Sequence, residues 1–121
     1  MTEIRRVLVV DGDQSARRGL ARLLRVAGHD VRECASADEL LDALEPEMSG
    51  CVVLDVRMPG LAAEDLQAQL GSRRPDLPII VVTAHDDDET RRQARAMNAV
   101  ALFCKPVDGR ALLDAVAWAQ R

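Results

Sequence analysis

Five short runs of apolar, largely β-branched residues, at positions 7–10, 31–34, 51–54, 79–82 and 101–104, are separated by stretches of helical period. This alternation restricts the fold more than any other feature of the chain. Strand-helix alternation of this kind is the signature of successive βαβ units around a parallel sheet. Most of the runs lack a polar partner at every second position, as expected of strands covered on both faces. The second run, Val31-Arg-Glu-Cys34, is half polar and reads as an edge. With 121 residues the chain is expected to form one domain over 1–121, long enough to bury about two-thirds of the surface of its unfolded form.

The intervening helices are marked by period and caps. Ala16, Leu20, Leu23, Leu24 and Ala27 fall on one helical face, and Gly28 supplies a left-handed stop. Ser36-Ala-Asp-Glu39 is a capping box that opens a second helix, which ends before Pro46. A third is expected from about Glu64 to Arg73, ahead of Pro75. A fourth begins within Asp86-Asp-Asp-Glu89, where acidic side chains favour the positive end of the helix dipole. Asp108 is the expected cap of the fifth, which runs towards Arg121 and fits either a stand-alone domain or one followed by an output domain.

A net charge of −4 argues against nonspecific binding of nucleic acid or an anionic membrane by the domain as a whole. No stretch approaches the roughly 18 apolar residues of a membrane span, and a cytoplasmic protein is expected. Cys34, Cys51 and Cys104 are odd in number and widely spaced, and they read as small buried apolar residues in a reducing compartment. His29, in a helix-to-strand turn, reads as a plain surface residue.

In an open parallel α/β sheet the ligand site lies beyond the carboxyl ends of the strands, where the strand order reverses. Asp11 and Asp13 follow the first run, Asp55 the third, Thr83 the fourth and Lys105 the fifth. Lys105 is the one lysine among sixteen basic residues. A compact ammonium on a flexible stem suits a single small anion, where arginine presents a broad planar fork. Three carboxylates, a hydroxyl and an ammonium in one crevice describe phosphoryl transfer. A carboxylate can act as nucleophile, others can hold Mg²⁺ with waters, and the lysine and threonine can engage phosphoryl oxygens. Each residue alone has a plainer reading, and Asp13 could be no more than a helix cap.

The stretches Val9-Val-Asp-Gly-Asp13, Val53-Leu-Asp-Val-Arg-Met-Pro-Gly60, Val81-Val-Thr-Ala84 and Phe103-Cys-Lys-Pro106 together make the chain resemble the receiver domain of two-component response regulators. The resemblance implies a flavodoxin-like, doubly wound α/β fold with five parallel strands in the order 2-1-3-4-5 and five helices. It implies that Asp55 accepts a phosphoryl group from a histidine kinase. Mg²⁺ would be bound by Asp11, Asp55 and the backbone carbonyl of Arg57, and Thr83 and Lys105 would hold the phosphoryl group. It further implies an output domain or protein target and pairing of two copies through the fourth and fifth helices.

The chain departs from the family's pattern in several places. Gly12 stands where a second acid is usual, so Mg²⁺ binding should be weakened unless Asp13 reaches the ion. Leu102 replaces the aromatic expected three residues before the lysine, and Val107 the phenylalanine after the proline, so the usual aromatic switch is missing. Ala63 replaces a common glycine, which implies a tighter loop after Asp55 or an earlier helix start. Arg57 and His85 each lie two residues beyond a site residue and either regulate water access to an acyl phosphate or are surface residues without a role.

On the fifth helix, Leu112, Leu113, Val116 and Ala117 are placed on the core stripe. Trp118 then points outward beside Ala111 and Ala115, as an apolar patch suited to an interface or as a final turn folded back on itself. Two other functions compete. A degenerate receiver would keep the fold and an interaction face without responding to phosphorylation, as Gly12 and Leu102 suggest. Val9-Val-Asp11-Gly-Asp13 also resembles the first motif of haloacid-dehalogenase-like phosphatases, in which Asp11 would be nucleophile and Asp13 general acid/base. The 16 residues after Lys105 hold no further strand with an acidic pair for such an enzyme.

Overall fold

A computed structural model describes residues 4–57 and 63–120. Five strands and five helices alternate along the chain: β1 (Ile4–Val10), α1 (Gln14–Val26), β2 (Val31–Cys34), α2 (Ala37–Ala43), β3 (Met48–Leu54), α3 (Ala63–Arg73), β4 (Ile79–Thr83), α4 (Asp88–Ala96), β5 (Ala101–Cys104) and α5 (Gly109–Ala119). All strand pairs are parallel and the order is β2-β1-β3-β4-β5, so the direction of winding reverses between β1 and β3. Both β2 and β5 are edges.

Alternate residues of the central strands face opposite layers, as the two-residue strand period requires. Val7 and Val9 of β1, Cys51 and Val53 of β3, and Ile80 and Val82 of β4 pack with Leu20, Ala21 and Leu24 of α1 and Leu112 and Val116 of α5. Leu8 and Val10, Val52 and Leu54, and Ile79 and Val81 pack on the other side with Leu40, Leu66, Leu70, Ala94 and Met97. Two apolar layers therefore clamp the sheet, and a continuous apolar run is what a strand buried on both faces needs.

The first and third strands are each three residues longer than the apolar runs suggest. Arg5 and Arg6 continue β1 and pair with Ser49 and Gly50 of β3, where polar side chains conceal the strand from a hydrophobicity reading. Gly50 is required there. Its φ is +126°, and a Cβ on it would lie 1.9 Å from the Arg6 carbonyl oxygen.

The helix ends follow their capping chemistry. Gly28, at φ +99°, ends α1 in a Schellman turn, with Gly28 N–H donating to Arg25 O (2.9 Å) and His29 N–H to Leu24 O (3.0 Å). Ser36 Oγ accepts from Glu39 N–H at 3.1 Å, and Asp87 and Asp108 cap α4 and α5. α3 is observed from Ala63, and the residues before it, with Met58, Pro59 and Gly60 of the family-like stretch, lie outside the described residues.

Some placements differ from expectation. On α1 the buried face contains Ala21, whereas Ala27 is exposed as the C-cap. On α5 Ala117 is exposed, because it lies about 120° round the helix from the midpoint of Leu112 and Val116. Ala115 is half-buried and packs partly against the core formed by α1 and α5, so only part of it is left to the outer face beside Trp118. Trp118 is 56% exposed. Cys34 and Cys51 are buried, with burial pushing their thiols up to about 11 and about 12, but Cys104 at the end of the β5 edge is exposed. His29 is half-buried.

Candidate phosphoacceptor site

The reversal between β1 and β3 sets two aspartates side by side. Asp11 and Asp55 directly follow the two strands, and Asp55 N–H donates to Val10 O at 2.9 Å, so the ladder between them extends to the acid itself. Both are buried, at 1% and 8% exposure. Each is fixed by the same local device. Asp11 Oδ1 accepts from Asp13 N–H and Asp55 Oδ1 from Arg57 N–H, both at 2.9 Å, which aims the other carboxylate oxygen of each into the crevice.

Lys105 closes the arrangement. Its Nζ donates to Asp11 Oδ2 at 2.6 Å and to Asp55 Oδ2 at 3.1 Å. Partial burial pulls the ammonium's pKa down, but the hydrogen bonds to Asp11 and Asp55 outweigh it and the net shift is upward. Two carboxylates against one ammonium leave a single negative charge in the crevice. Thr83 is completely buried beside it, and its backbone carbonyl accepts from Lys105 N–H at 2.7 Å. The Thr83 hydroxyl, however, faces its own loop, accepting from His85 N–H at 3.0 Å and lying 3.2 Å from His85 O. His85 itself is exposed.

Asp13 does not join the crevice. Its carboxylate accepts from Ser15 N–H at 3.0 Å and caps α1, an arrangement that also turns it away from any role as acid/base to Asp11. Among the described residues no three His, Cys, Asp or Glu side chains converge as a metal cluster. The donor set for a cation is therefore Asp11 and Asp55, whose Oδ2 atoms already share the Lys105 ammonium. Two carboxylates with backbone and water oxygens suit Mg²⁺, which keeps several of its own waters.

Two arginines act here that the sequence pattern does not single out for these contacts. Arg17 of α1 donates from Nη1 to the Asp11 carbonyl at 2.8 Å and lies 3.5 Å from Glu33, holding the turn that contains Gly12. Arg57 reaches from the end of β3 to Asp87 and Thr90 of α4. The available signal was Thr90, a hydroxyl on the apolar stripe with Ala94 and Met97, which in a buried position needs a partner.

A model of the response regulator receiver domain matches residues 7–117. The chain belongs to the response regulator receiver domain family. The receiver is 41% identical over 110 residues to Nodulation protein W of Bradyrhizobium diazoefficiens, covering 91% of this chain and 48% of that protein. It is 38% identical over 116 residues to the transcriptional regulatory protein FixJ of Azorhizobium caulinodans, covering 96% and 55% respectively. The receiver thus spans about half the length of these curated relatives. Among solved structures it resembles the response regulator StyR, at 42% identity and a TM-score of 0.84 over 97% of this chain and 59% of that one. A CheY-like receiver domain protein from Methanospirillum hungatei superposes with a TM-score of 0.84 at 27% identity, over 96% of this chain and 93% of that one. No helix among the described residues is long and apolar enough to cross a membrane.

Proposed function

We propose that this receiver is cytoplasmic and accepts a phosphoryl group on the carboxylate of Asp55 from a phosphohistidine of a histidine kinase. The observation that carries the reading is the Lys105 ammonium shared between Asp11 and Asp55, at 2.6 and 3.1 Å. An Asp55 carboxylate oxygen attacks phosphorus, the P–N bond breaks, and the imidazole leaves with the electron pair and takes up a proton. Lys105 is placed to follow the added charge, because its stem is flexible and its head is a point charge. The Thr83 hydroxyl reaches a phosphoryl oxygen by rotating away from His85. Asp11, Asp55 and the carbonyl of Arg57 would hold Mg²⁺, whose charge would offset that of the phosphoryl oxygens. With Gly12 in place of an acid and Asp13 committed to the α1 cap, Mg²⁺ binding is weakened and the metal-dependent phosphorylation is impaired but measurable.

The output reading follows from α4, β5 and α5. Ala111 and the exposed Trp118 form the outer apolar surface of α5, and this face is proposed to pair two copies or to meet an output domain or protein target. Gly12 and Leu102 favour the second reading, a phosphorylation-independent interaction module.

The two readings separate in one experiment. Mass spectrometry after incubation with acetyl phosphate and Mg²⁺ should show the gain of one phosphoryl group on the wild type and none on Asp55→Asn. Chelation of Mg²⁺ should reduce the yield severalfold. An unmodified wild type would leave only the interaction module.

A further inference from the structure

Residue 57 is bonded in two directions. Its backbone N–H donates to Asp55 Oδ1 at 2.9 Å. Its side chain crosses to α4, where Nε donates to Thr90 Oγ1 at 3.0 Å and Nη2 to Asp87 Oδ2 at 2.5 Å. Asp87 and Thr90 are also the two halves of the α4 cap, since Thr90 N–H donates to Asp87 Oδ1 at 2.8 Å. One guanidinium therefore grips the first turn of α4 at both of its capping groups. As a source of stability this contact is modest, because the arginine and Asp87 side chains are 36% and 51% exposed and water screens such pairs. Its position matters more, because it ties the acid at the end of β3 to a helix 30 residues further along the chain.

We infer that Arg57 is a positioning residue that reports the charge on Asp55 to the N-terminus of α4. This rests on the reading of Asp55 as phosphoacceptor. In the unmodified chain the Asp55 carboxylate shares the Lys105 ammonium with Asp11, and the guanidinium is bonded to Asp87 and Thr90. Phosphorylation replaces the single negative charge of the carboxylate by an acyl phosphate carrying about −1.5 to −2, and brings further acceptor oxygens to the neighbourhood of residue 57. The planar fork of a guanidinium matches phosphoryl oxygens bidentately, as it matches a carboxylate. Two anionic groups then compete for one cation. The hold on Asp87 and Thr90 weakens, the buried Thr90 hydroxyl loses a donor, and the first turn of α4 opens more often. The coupling is reciprocal, so a partner that immobilises this turn also alters the reactivity of Asp55. Leu102 removes the usual aromatic switch, and the arginine provides a separate route to the same face.

The test is amide hydrogen exchange at Thr90 and Arg91 on the whole chain, read only on the fraction that mass spectrometry shows to be modified by acetyl phosphate. In the wild type, exchange at both amides should accelerate severalfold on modification. In Arg57→Gln it should already be fast before modification and not change afterwards. Asp87→Asn keeps a competent cap but removes the ion pair. It should behave like Arg57→Gln while amides of β1 and β3 stay as protected as in the wild type. If unmodified Arg57→Gln exchanges at the wild-type rate, the grip is overturned. If modified Arg57→Gln and Asp87→Asn still accelerate as the wild type does, the coupling is overturned while Asp55 remains the phosphoacceptor. If no variant and no wild type takes up a phosphoryl group, the reading of Asp55 falls and the coupling falls with it.

Discussion

Asp11 and Asp55 follow β1 and β3 at the reversal, whereas Thr83 ends β4 and Lys105 follows the edge strand β5, further out, and these central and outer halves of the site are held in different ways. On the central side each acid continues a strand ladder, has short χ freedom, and is pinned by the amide two residues ahead. Behind it, residues 7–10 and 51–54 are fully inaccessible to solvent. On the outer side β5 is an edge whose residues are half-buried or exposed, Lys105 sits on a flexible stem, and among the described residues the Thr83 hydroxyl is bonded to its own loop. The difference separates two tasks. On the proposed function, an acceptor carboxylate at residue 55 is held still, whereas the groups that answer a new charge are able to turn towards it.

The comparison breaks most visibly under core truncation. Leu54→Ala, directly before Asp55, should cost about 2–5 kcal/mol in urea unfolding, because Leu54 is completely buried and its surroundings are tied into the ladder. Leu102→Ala on β5 should cost about 1 kcal/mol or less, since part of its surface is already in water. Equal losses would mean that the outer half is as rigid as the frame.

How much of this was readable beforehand differs along the same division. The runs 7–10, 51–54 and 79–82 announce the central strands because burial on both faces demands an unbroken apolar string. The five strand ends, and so Asp11, Asp55 and Lys105 as neighbours, follow from topology once those strands are placed. Arg5 and Arg6 were not readable as strand, because what holds them in β1 is backbone pairing with Ser49 and Gly50 and not their side chains. Asp13 was ambiguous because a carboxylate before a helix serves equally as cap and as ligand, and only its bond to Ser15 N–H decides. The reach of Arg57 to α4 was invisible for a different reason: periodicity states which face a residue occupies, never which distant side chain meets it. Cys104 and Ala117 failed at boundaries, one at the end of an edge strand and the other at the margin of a helical stripe.

A smaller effect sharpens the assignment of Asp13 to the frame. Asp13→Ala should lose about 1 kcal/mol of stability through the α1 cap, and Asp13→Asn, which caps equally well, should lose little. If the carboxylate serves only the cap, Asp13→Asn should also leave the Mg²⁺ dependence of Asp55 modification unchanged. A variant that is stable but needs much more Mg²⁺ would move Asp13 into the metal site and add a third acid to the central half.

The smallest effect lies at the outer half and is set by pH. Hydrogen bonds from the Thr90 amide and hydroxyl, with the Arg57 guanidinium, hold the Asp87 carboxyl down from its ordinary 3.8 to about 2. A carboxylate whose pKa is lower in the folded chain contributes stability that is complete above its unfolded pKa and disappears as the pH falls through the folded one. The melting temperature of the wild type should therefore exceed that of Asp87→Asn by a small, constant margin at neutral pH. The margin should shrink between about pH 4 and pH 2, where Asp87 gains its proton. Arg57→Gln should narrow this window from below, because one of the groups that lowers the pKa is gone. A margin that stays constant down to pH 2 would mean that Asp87 holds α4 as a neutral cap alone, and the outer half would then lack the charge contact through which Asp55 could be felt.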